Sequence, residues 1–221
     1  YLLRSRLHRQ RGDENAANSD RAKGLQIIPN DVPGWLARGL AQADEDPHAA
    51  LQDFREAERL DPLSRRVQRN LAYVLGEKLG RLDEAVDVLE GLIARQRRAE
   101  DYMSRGVYAA RSGNRAAAIQ DGLSALAMRS DDKLRFQMAC IYSLTSEQHP
   151  ADAEASARML SQAILEEPRW LAQAAKDDDL SNLRATKQYR AVLSAAATLQ
   201  RAAHGHFDTT KSTELRMESD E

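Results

Sequence analysis

Small and large apolar residues alternate along this chain in a pattern that returns about every 34 residues. The clearest unit runs from Trp35 to Pro62, with Trp35-x-x-Arg38-Gly39, then Ala50-x-x-x-Phe54, then Ala57 and the closing Pro62. Upstream, Tyr1, Gly12, Ala17 and Pro29 fall in the corresponding slots. Downstream come Gly80, Ala85-x-x-x-Leu89 and Leu92, followed by Tyr102, Gly106, Gly113 and Ala118. A further unit holds Ala139, Tyr142, Leu160, Ala163 and Pro168, with a longer turn between its two halves. Apolar spacing of three and four within each half predicts helices, two per unit. The predicted spans are 1–11, 15–27, 33–43, 47–60, 64–79, 82–95, 99–112, 115–128, 133–146 and 151–166. Asp46-Pro47 reads as a cap followed by Pro in the first turn. Gly80 and Gly113-Asn114 read as helix stops followed by new starts.

After Pro168 the register is lost. Residues 170–176 predict a short helix, 180–184 a turn and 187–203 a last helix that covers the final apolar face. From about Gly205 the composition is polar, and residues 204–221 are expected to be a disordered tail. The organisation expected is therefore a repeat array over 1–168, capping helices over 169–203 and the tail.

An aromatic, a small residue four places on, a later Ala-x-x-x-large apolar pair and a closing Pro resemble the tetratricopeptide (TPR) repeat. The fold expected is all-α, a superhelical array (α-solenoid) of about five TPR-type helical hairpins plus a helical C-terminal cap. Only the Leu slot of the clearest unit departs from the repeat, being filled by Arg38. Gly39, Gly106 and Ala139 occupy a small-residue slot on the first helix (A) of a hairpin, which lets the second helix (B) approach. The chain further resembles the TPR-bearing C-terminal regions of bacterial serine/threonine protein kinases. The residues that carry this are Arg11-Gly12-Asp13, 35–41, 79–86, Arg105-Gly106-Val107, Ala139-Cys140-Ile141-Tyr142-Ser143-Leu144 and Asp177-Asp178-Asp179-Leu180-Ser181-Asn182-Leu183-Arg184. That resemblance implies a docking region that positions substrates or partners for a kinase encoded upstream. The kinase itself is not here: Gly-rich phosphate loop, Val-Ala-Ile-Lys, His-Arg-Asp and Asp-Phe-Gly are all missing. The chain opens at Tyr1, inside a helical pattern, and is read as a piece of a longer protein.

Charged residues make up 30 % of the chain and nearly cancel at a net −2, so no bulk field points to nucleic acid or an anionic membrane. No apolar run approaches the roughly 20 residues of a membrane helix. The single cysteine, Cys140, forbids an internal disulfide and fits a reducing, cytoplasmic setting.

No catalytic or cofactor set is legible, and no metal site is expected. Cys140 has no His context that would make it a nucleophile, and reads as a structural thiol. Asp177-Asp178-Asp179 lacks EF-hand spacing and reads as a cap. His204 and His206 flank Gly205, where a metal would need a third ligand. What remains is a binding face. In TPR arrays the A helices line one side, and the slots on them predict Arg6 and Arg9, then Leu36 and Leu40, then Arg66, Arg69 and Tyr73, then Met103, Val107 and Arg111, then Lys133 and Phe136. Arg mixed with Tyr, Met and Phe suits a protein or peptide partner, acidic or phosphorylated. A Lys/Asn/Arg clamp for a terminal carboxylate is not expected, because Leu2 and Arg6 hold its first slots. The function expected is a protein-interaction scaffold rather than an enzyme. The alternatives are a structural or self-association module, or a small-ligand-binding helical domain.

Overall fold

The computed structural model describes residues 1–198 and 201, and every regular element among them is helical. The predicted tail, with His204 and His206, lies outside the described residues. Ten helices follow one another as α1 (Leu2–Gln10), α2 (Glu14–Leu25), α3 (Val32–Gln42), α4 (Pro47–Leu60), α5 (Arg65–Tyr73), α6 (Leu82–Arg95), α7 (Ala99–Arg111), α8 (Arg115–Met128), α9 (Asp132–Thr145) and α10 (Ala151–Glu166). Three more close the chain: α11 (Arg169–Ala174), α12 (Ser181–Arg184) and α13 over residues 187–198. The stretch expected to be a turn at 180–184 is instead a 3₁₀ turn, Asp178–Leu180, running into α12.

The starts are set by local chemistry. The carboxylates of Asp13, Asp31 and Asp46 and the amide oxygen of Asn114 each accept the backbone N–H three residues on, at 2.8–3.2 Å. Each satisfies one of the donors that a helix start leaves orphaned. Gly80 and Gly113 end their segments with φ of +63° and +79°, a region only glycine enters at no steric cost.

The described residues form two compact units, divided between Ser112 and Gly113. In the first, α1 packs on α2, α3 on α4 and α5 on α6, with α7 against α6. The close approaches rest on glycine. A Cβ on Gly39 would lie 2.5 Å from the Phe54 ring of α4, so the small slot faces helix B of its own hairpin as its position implies. Gly24 meets Leu2 in the same way.

A second element departs from expectation. The helix predicted over 64–79 is α-helical only to Tyr73 and continues as a π-helical segment, Val74–Lys78. The Leu79 N–H reaches back to the Val74 carbonyl at 3.1 Å, one residue further than an α-helix allows. The ring of Tyr108 from α7 lies against Gly76, where a Cβ would be only 2.5 Å from it. Tyr108 is 4 % exposed, and burial pushes its phenol well above the usual range.

In the second unit α9 packs on α10, and the closing elements complete a core around Leu160, Leu180, Leu183 and Tyr189. Phe136 stacks on Trp170 with ring centroids 4.5 Å apart, and the Trp170 Nε1–H donates to Asp132 at 2.7 Å.

Candidate functional site

The arginine in the Leu slot has a structural explanation. Arg38 donates to the Asp53 carboxylate of α4 from Nε at 3.1 and 3.0 Å and from Nη2 at 2.7 Å, and Gln42 adds a bond at 2.6 Å. Asp53 is 1 % exposed. The guanidinium also lies over the Trp35 ring, 4.8 Å from its centroid. The first hairpin repeats the arrangement: Arg4 sits 5.4 Å from the Tyr1 ring and binds the buried Asp20 of α2 at 2.7 Å. These arginines tie helix A to helix B. In the second unit Arg115 clasps Asp152 at 2.7 and 2.8 Å, with Thr145 donating to the same carboxylate. Those bonds hold the Asp152 carboxyl below its ordinary range against the opposing effect of burial.

The twelve residues expected on the binding face divide by burial. Leu36, Met103, Val107 and Phe136 are 2 %, 0 %, 6 % and 4 % exposed. They are core, and a buried side chain has no area to offer a partner. An inner helix is flanked by its own hairpin and by the next, so its open stripe is narrower than its full set of slots. Phe136 is covered by Trp170 besides. Arg111 is half-buried and bonded to Glu77 at 2.9 Å. Lys133 is exposed, on α9 of the second unit.

The remaining six share the first unit. Arg6 and Arg9 of α1, Leu40 of α3 and Arg66 of α5 line one depression of about 620 Å³. Arg66 also lines an adjoining depression of about 590 Å³ with Arg65, Arg69, Asn70 and Tyr73. Leu40 and Tyr73 are 43 % and 42 % exposed, large apolar surfaces left open beside the cations. Arg6 and Arg66 are exposed, and among the described residues their guanidinium groups make no ion pair or hydrogen bond. Arg9 is loosely held, 3.5 Å from Glu14 and from Asn18. The acids at the rim are engaged: Asp44 with Lys78 at 2.6 Å and Glu45 with Arg21 at 2.8 Å.

Sequence reasoning missed the carboxylate beneath this surface. Asp101 of α7 is fully buried, binds Arg65 and lies 3.5 Å from the Arg69 Nε. Its Oδ1 accepts no hydrogen bond. Asp101 thereby holds Arg69 by charge alone while the rest of that guanidinium stays open.

A second cluster brings the Cys140 thiol and the carboxylates of Asp177 and Asp179 within 4.8 Å of one another. The donor types could serve a metal. Asp177, however, caps the 3₁₀ turn, accepting from the Asp179 N–H at 3.2 Å. Among the described residues, no helix is long and apolar enough to cross a membrane.

Paired helices in register, small residues at their crossings and a polar open stripe define an all-α helical-hairpin repeat protein. No protein-family model matches the chain, and no curated protein matches it in sequence. Solved structures do. A tetratricopeptide repeat protein from Parabacteroides merdae is 18 % identical with a TM-score of 0.62, over 87 % of this chain and 75 % of its own. TTC0263, a thermophilic TPR protein of Thermus thermophilus, is 20 % identical with a TM-score of 0.59, over 87 % and 96 %. MamA is 19 % identical with a TM-score of 0.55, over 75 % and 95 %. The fold is that of the TPR proteins.

Proposed function

We propose that this chain is a protein-docking scaffold whose first unit binds an acidic or phosphorylated protein segment across α1, α3 and α5. The observation that carries the reading is the pair of guanidinium groups, Arg6 and Arg66, that have no partner among the described residues and line one depression beside the open Leu40. Exposed cations next to accessible apolar area supply the two things such a segment needs: charge-assisted hydrogen bonds and desolvated contact. A role beside a cytoplasmic serine/threonine kinase rests on the sequence resemblance. In that role the chain presents substrates and performs no chemistry of its own.

The test is direct binding of short acidic synthetic peptides, compared with basic peptides of equal length, by fluorescence polarisation. Replacing Arg6 and Arg66 together with Ala is expected to weaken the acidic peptides at least about tenfold, since one charge-assisted bond is worth about 1.5–3 kcal/mol. The effect should shrink at high salt. Replacing Arg55 and Arg59 of α4, which lie outside both depressions, should do little. Equal losses from both double variants would rule out this face.

A further inference from the structure

We infer that the face selects a phosphorylated serine or threonine set three positions away from an aromatic or large aliphatic side chain, on a segment in polyproline II conformation. The inference rests on the docking face just proposed and specifies its ligand.

The phosphoryl position is marked by Arg66. It lines both depressions, one together with Arg6 and Arg9 and the other together with Arg69 and Asn70. Among the described residues Arg6 and Arg66 have no partner of their own, and the Arg69 side chain is 46 % exposed over Asp101. A carboxylate fills one guanidinium fork. A phosphate monoester carries close to two negative charges and three acceptor oxygens, and it can satisfy more than one fork at once. Arg66 and Arg69, one turn apart on α5, therefore offer more donors than one Asp or Glu can use.

The second position is marked by Tyr73. Arg66, Arg69, Asn70 and Tyr73 lie at i, i+3, i+4 and i+7 along α5 and form one stripe. Seven residues at 1.5 Å each put Arg66 and Tyr73 about 10 Å apart along the axis. A polyproline II segment rises about 3.1 Å per residue with three residues per turn, so positions 0 and +3 share a face about 9 Å apart. A β-conformed segment puts those two positions on opposite faces. The Tyr73 ring, 42 % exposed with the Lys78 ammonium 5.7 Å from its centroid, then receives an apolar side chain.

The experiment titrates the full chain with four labelled peptides by fluorescence polarisation: phosphoserine-x-x-Trp, the reversed order Trp-x-x-phosphoserine, the first with Glu for phosphoserine, and one with Trp moved next to phosphoserine. At least one phosphopeptide with three-residue spacing is expected to bind about tenfold or more tighter than the Glu and adjacent-Trp peptides. Arg66→Ala, a position with no structural partner to lose, should erase the preference for phosphate, and Tyr73→Ala the preference for spacing. Equal affinity for Glu and phosphoserine overturns the inference while leaving the acidic docking face standing. A phosphate preference that survives Arg66→Ala also overturns it. Failure of all four peptides, alongside failure of the acidic peptides above, removes both readings.

Discussion

Replacing Arg38 with Leu restores the residue type that the repeat pattern places there, yet it strands a buried carboxylate. Asp53 is 1 % exposed and accepts three short contacts from Arg38 and one from Gln42. After the substitution only the Gln42 bond remains. Removing one partner of a buried ion pair costs about 3–5 kcal/mol, because the surviving charge can reach neither water nor a counter-ion. The reverse deletion, Asp53→Leu, should cost less. The Arg38 side chain is 20 % exposed and keeps a route to solvent and to the Ile27 carbonyl. The double variant carries no stranded charge, and replacement of both partners by apolar groups is often neutral or stabilising. The assay is urea unfolding followed by the helical circular dichroism signal, read as a double-mutant cycle. The expected order of stability places Arg38→Leu lowest and the double variant well above it, with a coupling of about 2 kcal/mol or more. Two results would refute the reasoning: Arg38→Leu within about 0.5 kcal/mol of the parent, typical of an exposed site, or a double variant as unstable as the two losses summed.

Two further outcomes are expected. Gly39→Leu should cost about 1–3 kcal/mol by overpacking, since even a Cβ there would lie 2.5 Å from the Phe54 ring, and a change near zero in thermal or urea unfolding would mean the slot can open. Asp152→Asn should show a pH-dependent penalty. The folded Asp152 carboxyl is depressed by Arg115, so its stabilisation is full above the unfolded value of about 3.9 and is lost as pH falls through the lower folded value. The gap in melting temperature between parent and variant should therefore be constant at neutral pH and narrow below about pH 4, and a gap unchanged in acid would contradict the assignment.

The hairpins, caps and small slots were readable because each depends on residues close in sequence. Asp46, Asn114, Gly80 and Gly113 act on backbone groups within a few positions of themselves. The Arg–Asp ties were also present in the sequence, although the repeat reading treated Arg38 as an exception. Tyr1-x-x-Arg4 with Ala17-x-x-Asp20 and Trp35-x-x-Arg38 with Ala50-x-x-Asp53 keep the same spacing within each helix. An aromatic and an arginine one turn apart on helix A, answered by an aspartate on helix B, is a signal that a second reading of the same repeat can find. The π-helical segment had no such signal. Gly76 alone does not announce it, because the Tyr108 ring that lies against it comes from another helix.

By itself, then, the sequence determined that the chain is helical, where its helices begin and stop, and which small residues let paired helices meet. Those properties follow from hydrogen bonds within one turn and from a period of 3.6 residues. Tertiary structure alone decided which slots on the inner helices are surface. Leu36 and Leu40 are the same residue type on the same helix four positions apart, yet one is 2 % exposed and the other 43 %. Likewise Arg4 is bound to a buried acid while Arg6, two residues on, has no partner among the described residues and lines an open depression. Periodicity fixes the direction in which a side chain leaves its helix, but exposure depends on whether a neighbouring helix stands in that direction. That neighbour is supplied by residues distant in sequence, so only the assembled packing separates an arginine that ties two helices together from one left open to an anion.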